Sequence, residues 1–155
     1  MDTSLIARAI GHPLELLARH YATQTHQFLG SVCPVDGNQI PRGSPLEVVA
    51  SCHVMIAAKT YRALISHFAS EHDPELLPDA LGSAKAALLA IDRSLAAWRS
   101  IAAEKDDGRV GGVMEVLEAL RTGVEMRFPA ARAFVLPPGL DEGQEVRTTL
   151  EPLTH

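Results

Sequence analysis

Aromatic residues are scarce in this chain, at 5% of positions, while Ala and Leu are prominent. That balance disfavours a β-sandwich and favours helices packed through aliphatic seams. Cysteine is scarcer still: Cys33 and Cys52 form neither a disulfide framework nor a zinc motif, because no second Cys or His recurs at ligand spacing. Cys33, followed by Pro34 in a loop, reads either as a reactive thiol or as an inert reduced one, and Cys52 reads as a small core residue. Clustered Lys and Arg are missing from a chain of net charge −5 and pI near 5.8, which excludes a nucleic-acid surface built on phosphate contacts.

Other absences narrow the function further. No apolar run is expected to reach the length of a membrane span, and Met1 to Gly11 lacks the basic start and long apolar middle of a secretion signal. A soluble cytoplasmic protein without a membrane partner is the expectation. There is no Gly-x-Ser-x-Gly elbow and no cysteine signature, and Gly108 to Gly112 is too short for a phosphate loop and lacks its Lys. These gaps point away from an enzyme. Finally, no histidine lies between Asp73 and Thr154, so any imidazole chemistry belongs to the first half of the chain.

What is present fits one all-α domain, since 155 residues can bury a core without metal or disulfide staples. Pro13 suits an early helical position, and Leu14, Leu17, Tyr21 and Phe28 recur at helical spacing, predicting a helix over 12–29 after a short helical turn at 4–10. Pro34, Gly37, Asn38, Pro41 and Gly43 make 33–44 a loop. Ser44, Pro45 and Glu47 read as a helix start, leading into a stripe of Val54, Ala57, Tyr61, Leu64 and Phe68 that ends near Pro74. A third helix carries Leu81, Ala84, Leu88, Ile91, Leu95, Trp98 and Ala102 in alternating steps of three and four.

After a turn at Asp106 to Gly108, a fourth stripe of Val113, Leu117, Leu120, Val124 and Phe128 runs to Pro129. Four such stripes must bury one another, and short connections favour antiparallel neighbours. The predicted fold is an antiparallel four-helix bundle over residues 1–135, with an extended or partly disordered Pro-rich and acidic tail over 136–155 and no internal repeats.

His67 and Glu71 stand four apart at the end of the second predicted helix, a spacing that puts them on one face near Leu64. Two readings fit: a carboxylate and an imidazole directed at a bundle interior, where they ligate a metal, or two solvated groups on a frayed turn before Pro74. His20 flanks the seam of the first helix and faces the same interior, whereas His26 falls on the opposite side.

The segment His12-Pro-Leu-Glu-Leu-Leu-Ala-Arg-His20 resembles the first helix of hemerythrin-like domains. His67-Phe-Ala-Ser-Glu71-His-Asp-Pro-Glu-Leu-Leu-Pro78 resembles their second, and Arg127-Phe-Pro-Ala-Ala-Arg-Ala-Phe-Val-Leu-Pro137, more loosely, the end of their fourth. The resemblance implies a bundle that binds oxygen, nitric oxide or a di-iron centre, with His20, His67 and Glu71 in ligand positions. The chain departs from that pattern at the third helix, which offers Ser83, Ala84, Lys85 and Leu88 in place of histidines. It departs again at the fourth, where the matching slots hold Gly123 and Arg127. Three remaining ligands cannot hold two irons, although water or Glu125 would complete a mononuclear site.

Heptad counting from Val113 through Val124 puts Arg127 on the apolar stripe, so an ion pair between Arg127 and Glu71 is expected to replace the metal. The leading expectation is a non-enzymatic binding or regulatory bundle that has lost its di-iron centre and serves an unknown protein partner or small ligand. One alternative is oxygen or nitric oxide sensing through iron on His20, His67 and Glu71. Another is a protein-partner bundle of anti-sigma-factor-like type, with an apolar groove along Leu120 to Phe128 and the tail. For the cysteines, thiol titration of the denatured, unreduced protein should count two free thiols, and a count of zero would indicate a loop-closing disulfide.

Overall fold

The computed structural model describes residues 3–32, 40–104 and 108–135. The Cys33 loop, most of the turn before Gly108 and the whole 136–155 tail lie outside them. The described residues form five α-helices and one short 3-10 turn: α1 (Thr3–Ala9), α2 (Pro13–Val32), α3 (Pro45–Ala69), the 3-10 turn Pro74–Leu76, α4 (Leu77–Glu104) and α5 (Gly108–Arg127). The last four helices make an antiparallel bundle in which α2 packs on α3 and α5, and α4 packs on the same two, while α1 lies against α3. The expected fold class and the order of the elements hold.

Two helices start in the same way. Gly11-His12-Pro13-Leu14-Glu15 opens α2 and Gly43-Ser44-Pro45-Leu46-Glu47 opens α3, a five-residue likeness in a chain read as free of repeats. In each, the glycine adopts a positive φ, +93° at Gly11 and +75° at Gly43, which a Cβ would strain. Each glycine N–H donates to the glutamate four residues on, at 2.9 Å for Glu15 and 3.0 Å for Glu47. The Ser44 hydroxyl accepts from the Glu47 N–H at 3.3 Å, while at the corresponding place His12 Nδ1 accepts from the Leu14 N–H at 3.1 Å. Both glutamates also favour the positive dipole end.

Helix positions differ from the sequence reading at three points. α3 ends at Ala69, a turn before Pro74, because the Glu71 and His72 N–H groups reach back only three residues, to Phe68 and Ala69, and tighten the turn. α4 begins at Leu77, a turn earlier than its clean heptads. On α3 the expected stripe is misplaced: Val54 is exposed, and the inward face is Val49, Cys52, Ile56, Lys59, Thr60 and Ala63, joined by Leu64 and Phe68. The α5 stripe Val113, Leu117, Leu120, Val124 and Phe128 is wholly buried, and the tail that was to complete a groove with Leu120 to Phe128 lies outside the described residues. α3 also has the length and mean hydropathy (1.3) of a membrane span, contrary to expectation, with 50% of that window buried inside the bundle.

The core is held by small contacts and one central polar link. α4 presents Ala80, Ser83, Ala84, Ala87, Ala90 and Ser94, all buried, and their size lets α3 come close. Gly123 does the same between α5 and α2, where a Cβ would collide with the Leu14 side chain. At the centre the Trp98 indole donates to the Tyr21 hydroxyl at 3.0 Å, both side chains fully buried, with Phe28 edge-on to the indole at 5.2 Å. Burial is the main influence that raises the Tyr21 pKa, opposed by its hydrogen bonds. Replacing Tyr21 by Phe removes the acceptor and leaves a buried indole N–H unmatched. Denaturant melts should show a loss of about 1–3 kcal/mol with unchanged helix content, and an unchanged midpoint would mean that this hydrogen bond contributes nothing to the fold.

Candidate functional site at the Phe68 end of the bundle

Antiparallel packing gathers at one end of the molecule α1, the start of α2, the end of α3 and the end of α5. Phe68, on the last turn of α3, is buried there, and four basic groups from four segments surround its ring. The Arg8 guanidinium lies 4.2 Å and the Arg127 guanidinium 5.6 Å from the ring centroid, close enough for attraction to the negative faces of the ring. The rings of His12 and His67 lie at 5.9 and 5.8 Å, and His67 meets Phe128 edge-on at 5.5 Å. One aromatic side chain therefore organises two permanent cations and two titratable imidazoles.

Glu71 is the carboxylate of this cluster, and Arg8 holds it. The two form a fork of hydrogen bonds, Arg8 Nη1 to Glu71 Oε1 at 2.8 Å and Nη2 to Oε2 at 3.0 Å. The Arg8 hydrogen bond is the chief reason that the Glu71 pKa lies below the usual carboxylate range. This corrects the expected Glu71–Arg127 pair. Glu71 lies beyond the end of α3, so the one-face geometry of His67 and Glu71 does not apply, and α1 supplies the cation. Arg127 is exposed, because the α5 stripe steps from Val124 to Phe128, four residues on, and passes Arg127 by.

The remaining predicted residues are dispersed. His20 is exposed on α2 and does not face the interior. His67 is half-buried, with Nδ1 buried and without a hydrogen-bond partner among the described residues. Glu125 accepts from Arg132 at 2.7 Å, and Arg132 also holds Asp92 at 2.9 Å. Where the resemblance calls for histidines, Ser83, Ala84 and Leu88 are buried and Lys85 donates to the Phe134 carbonyl at 2.6 Å. Among the described residues no three His, Cys, Asp or Glu side chains come together in a way that could hold a metal ion.

Sequence reasoning missed His12, Phe68 and Arg8 as members of this cluster. The detectable signal was the parallel between the two helix starts, which puts an imidazole where the other start has a capping hydroxyl. Because Nδ1 accepts the Leu14 N–H, the cap requires a neutral ring whose proton sits on Nε2.

Both clustered imidazoles have pKa values below the usual histidine range. For His12 burial is the largest cause, followed by the charges of Arg127 and His67; for His67 it is burial, then Arg127, with Glu71 pulling upward and Arg8 downward. A depressed histidine pKa means that the unfolded chain, titrating near about 6.5, binds protons first. Stability should therefore be full above that pH and fall as the pH drops through it. NMR titration should find both rings protonating at lower pH than histidine in an unfolded peptide, and Arg127→Gln should raise both. Ordinary titration of the two rings would contradict the arrangement. No known protein family, curated protein or solved structure matches the chain, so its function must be argued from this cluster.

Proposed function

We propose that the protein is a non-enzymatic cytoplasmic binding or regulatory protein, built on a helical bundle of hemerythrin-like type whose di-iron centre has been lost. The observation that carries this reading is the pairing of Glu71. The carboxylate that the resemblance assigns to iron is held by Arg8 in two hydrogen bonds, next to a guanidinium that would repel a cation. Arg127, within reach of the same phenyl ring, adds a second permanent positive charge close to His67. His20, the third ligand of the pattern, stands exposed on α2.

A cation site requires a surplus of donors and negative charge, whereas this end of the bundle gathers positive charge around one ring. Such an arrangement supports recognition of a partner or ligand and supplies neither a nucleophile nor a paired acid and base. The test is metal analysis of the protein purified without an affinity tag, together with a visible spectrum. The expected result is less than a tenth of an equivalent of iron per chain, an order-of-magnitude threshold, and no charge-transfer band. Two irons per chain would overturn the reading, and Arg8→Ala should not by itself create iron affinity.

A further inference from the structure

We infer that Arg127, His12 and His67 form a binding site for a small free oxyanion of the phosphate class at the Phe68 end of the bundle. The inference rests on the reading that this end binds a ligand and holds no iron. Its first support is an uncompensated cation. Arg8 is committed to Glu71, whereas Arg127 meets no carboxylate among the described residues, and its contact there is the Phe68 ring. A guanidinium laid on an aromatic ring keeps its edge N–H groups free, in the planar fork that matches two oxygens of an oxyanion.

The second support is what surrounds that cation. Other exposed arginines, Arg93 and Arg99 among them, stand on the outer face of α4, but Arg127 shares the Phe68 ring with both imidazoles, at 5.6 Å from its centroid against 5.9 Å for His12 and 5.8 Å for His67. His12 spends Nδ1 on the α2 cap, and its Nε2–H remains as a neutral donor. His67 has a buried Nδ1 without a partner among the described residues, a polar atom whose burial is costly unless it gains one. The His12 Nε2–H and an unpartnered imidazole nitrogen beside a guanidinium suit a tetrahedral oxyanion, which needs no change in the neutral, capping form of His12.

The charged groups that bear on the two imidazoles come from every neighbouring segment: Arg8 from α1, Glu71 from the turn after α3 and Arg127 from α5. Glu71 is the negative one, and Arg8 balances it. The local sign is therefore positive in a chain whose net charge is −5.

Inorganic phosphate is the probe, titrated into the full chain by calorimetry and by NMR of the histidine rings, with sodium chloride at matched ionic strength as the control. The expected result is saturable binding that moves the His12 and His67 resonances together and raises the thermal midpoint. Arg127→Gln should weaken it by on the order of tenfold or more, the scale of one lost charge-assisted hydrogen bond. Arg99→Gln, an exposed arginine toward the far end of α4, should leave it unchanged. Arg127→Lys tests the fork, since a point charge should restore only part of the affinity. Iron-free protein that shows no saturable response beyond chloride, or equal binding by Arg127→Gln, would overturn this inference alone. Iron in the purified protein would overturn the binding reading and this site with it.

Discussion

A buried indole N–H must find an acceptor, and the rest of the bundle is arranged around the one that Trp98 finds in Tyr21. The hydrogen bond crosses the bundle diagonal, from α4 to α2, two helices that are not neighbours in the ring of four. A link of that kind fixes depth as well as rotation: neither helix can slide by a turn without stranding a donor in an apolar interior. Phe28, edge-on to the indole, fills the next level of the same seam. Once α2 and α4 are registered, the small residues of α4 set how near α3 comes, and Gly123 sets how near α5 comes. The end of the bundle is then a consequence of its middle, because four helices of fixed depth bring His12, Phe68 and Arg127 to one level.

The fold was legible in the sequence wherever a helix buries a single continuous apolar face. On α5 every residue of the stripe Val113, Leu117, Leu120, Val124 and Phe128 is buried, and of the buried residues of that helix the spacing missed Val110. On α3 the same counting failed, and the reason is physical. The inward face of that helix includes Thr60, Ser66 and the stem of Lys59, while the strongly apolar Val54 stands in solvent. Hydrophobic periodicity finds a face by its apolar residues, so a face built of Ala, Ser and Thr opposite small residues is invisible to it. Ser66 shows what that interface uses in their place, since its hydroxyl donates to Asp79 on α4, which Arg62 also holds at 2.7 Å.

The candidate site was legible in His67, Glu71 and Arg127 but not in His12, Phe68 and Arg8, nor in how any of these are related. His67 and Glu71 do lie at the same end of the bundle, but the argument that joined them assumed a helix that continues past Ala69. Four residues on a helix return a side chain to the same face; across a C-terminal turn they do not. Arg8 could not be paired from sequence, because its partner is 63 residues away and the placing of α1 against α3 is a matter of tertiary contact. His12 was a different case. The repeated Gly-x-Pro-Leu-Glu start, which the reading of the sequence passed over, would have marked it as a helix cap, and a capping imidazole has a defined tautomer, which is chemical information that a capping serine does not carry.

Net charge misleads at this end of the molecule, and distance is the reason. Salt screens exposed charges over about 8 Å at physiological ionic strength, so the many acids elsewhere on an acidic chain contribute little to the potential at Arg127. Groups within that range decide the sign. Among the described residues the carboxylate that bears on His67 is Glu71, and its charge is spent on Arg8 at 2.8 Å. That pair is exposed on both sides and so contributes little to stability. Its effect is electrostatic instead: by neutralising Glu71 it leaves the field of Arg127 on the two imidazoles uncancelled. Glu71 is thus given to an arginine of α1, and the guanidinium of Arg127 is left beside the Phe68 ring without a carboxylate partner among the described residues.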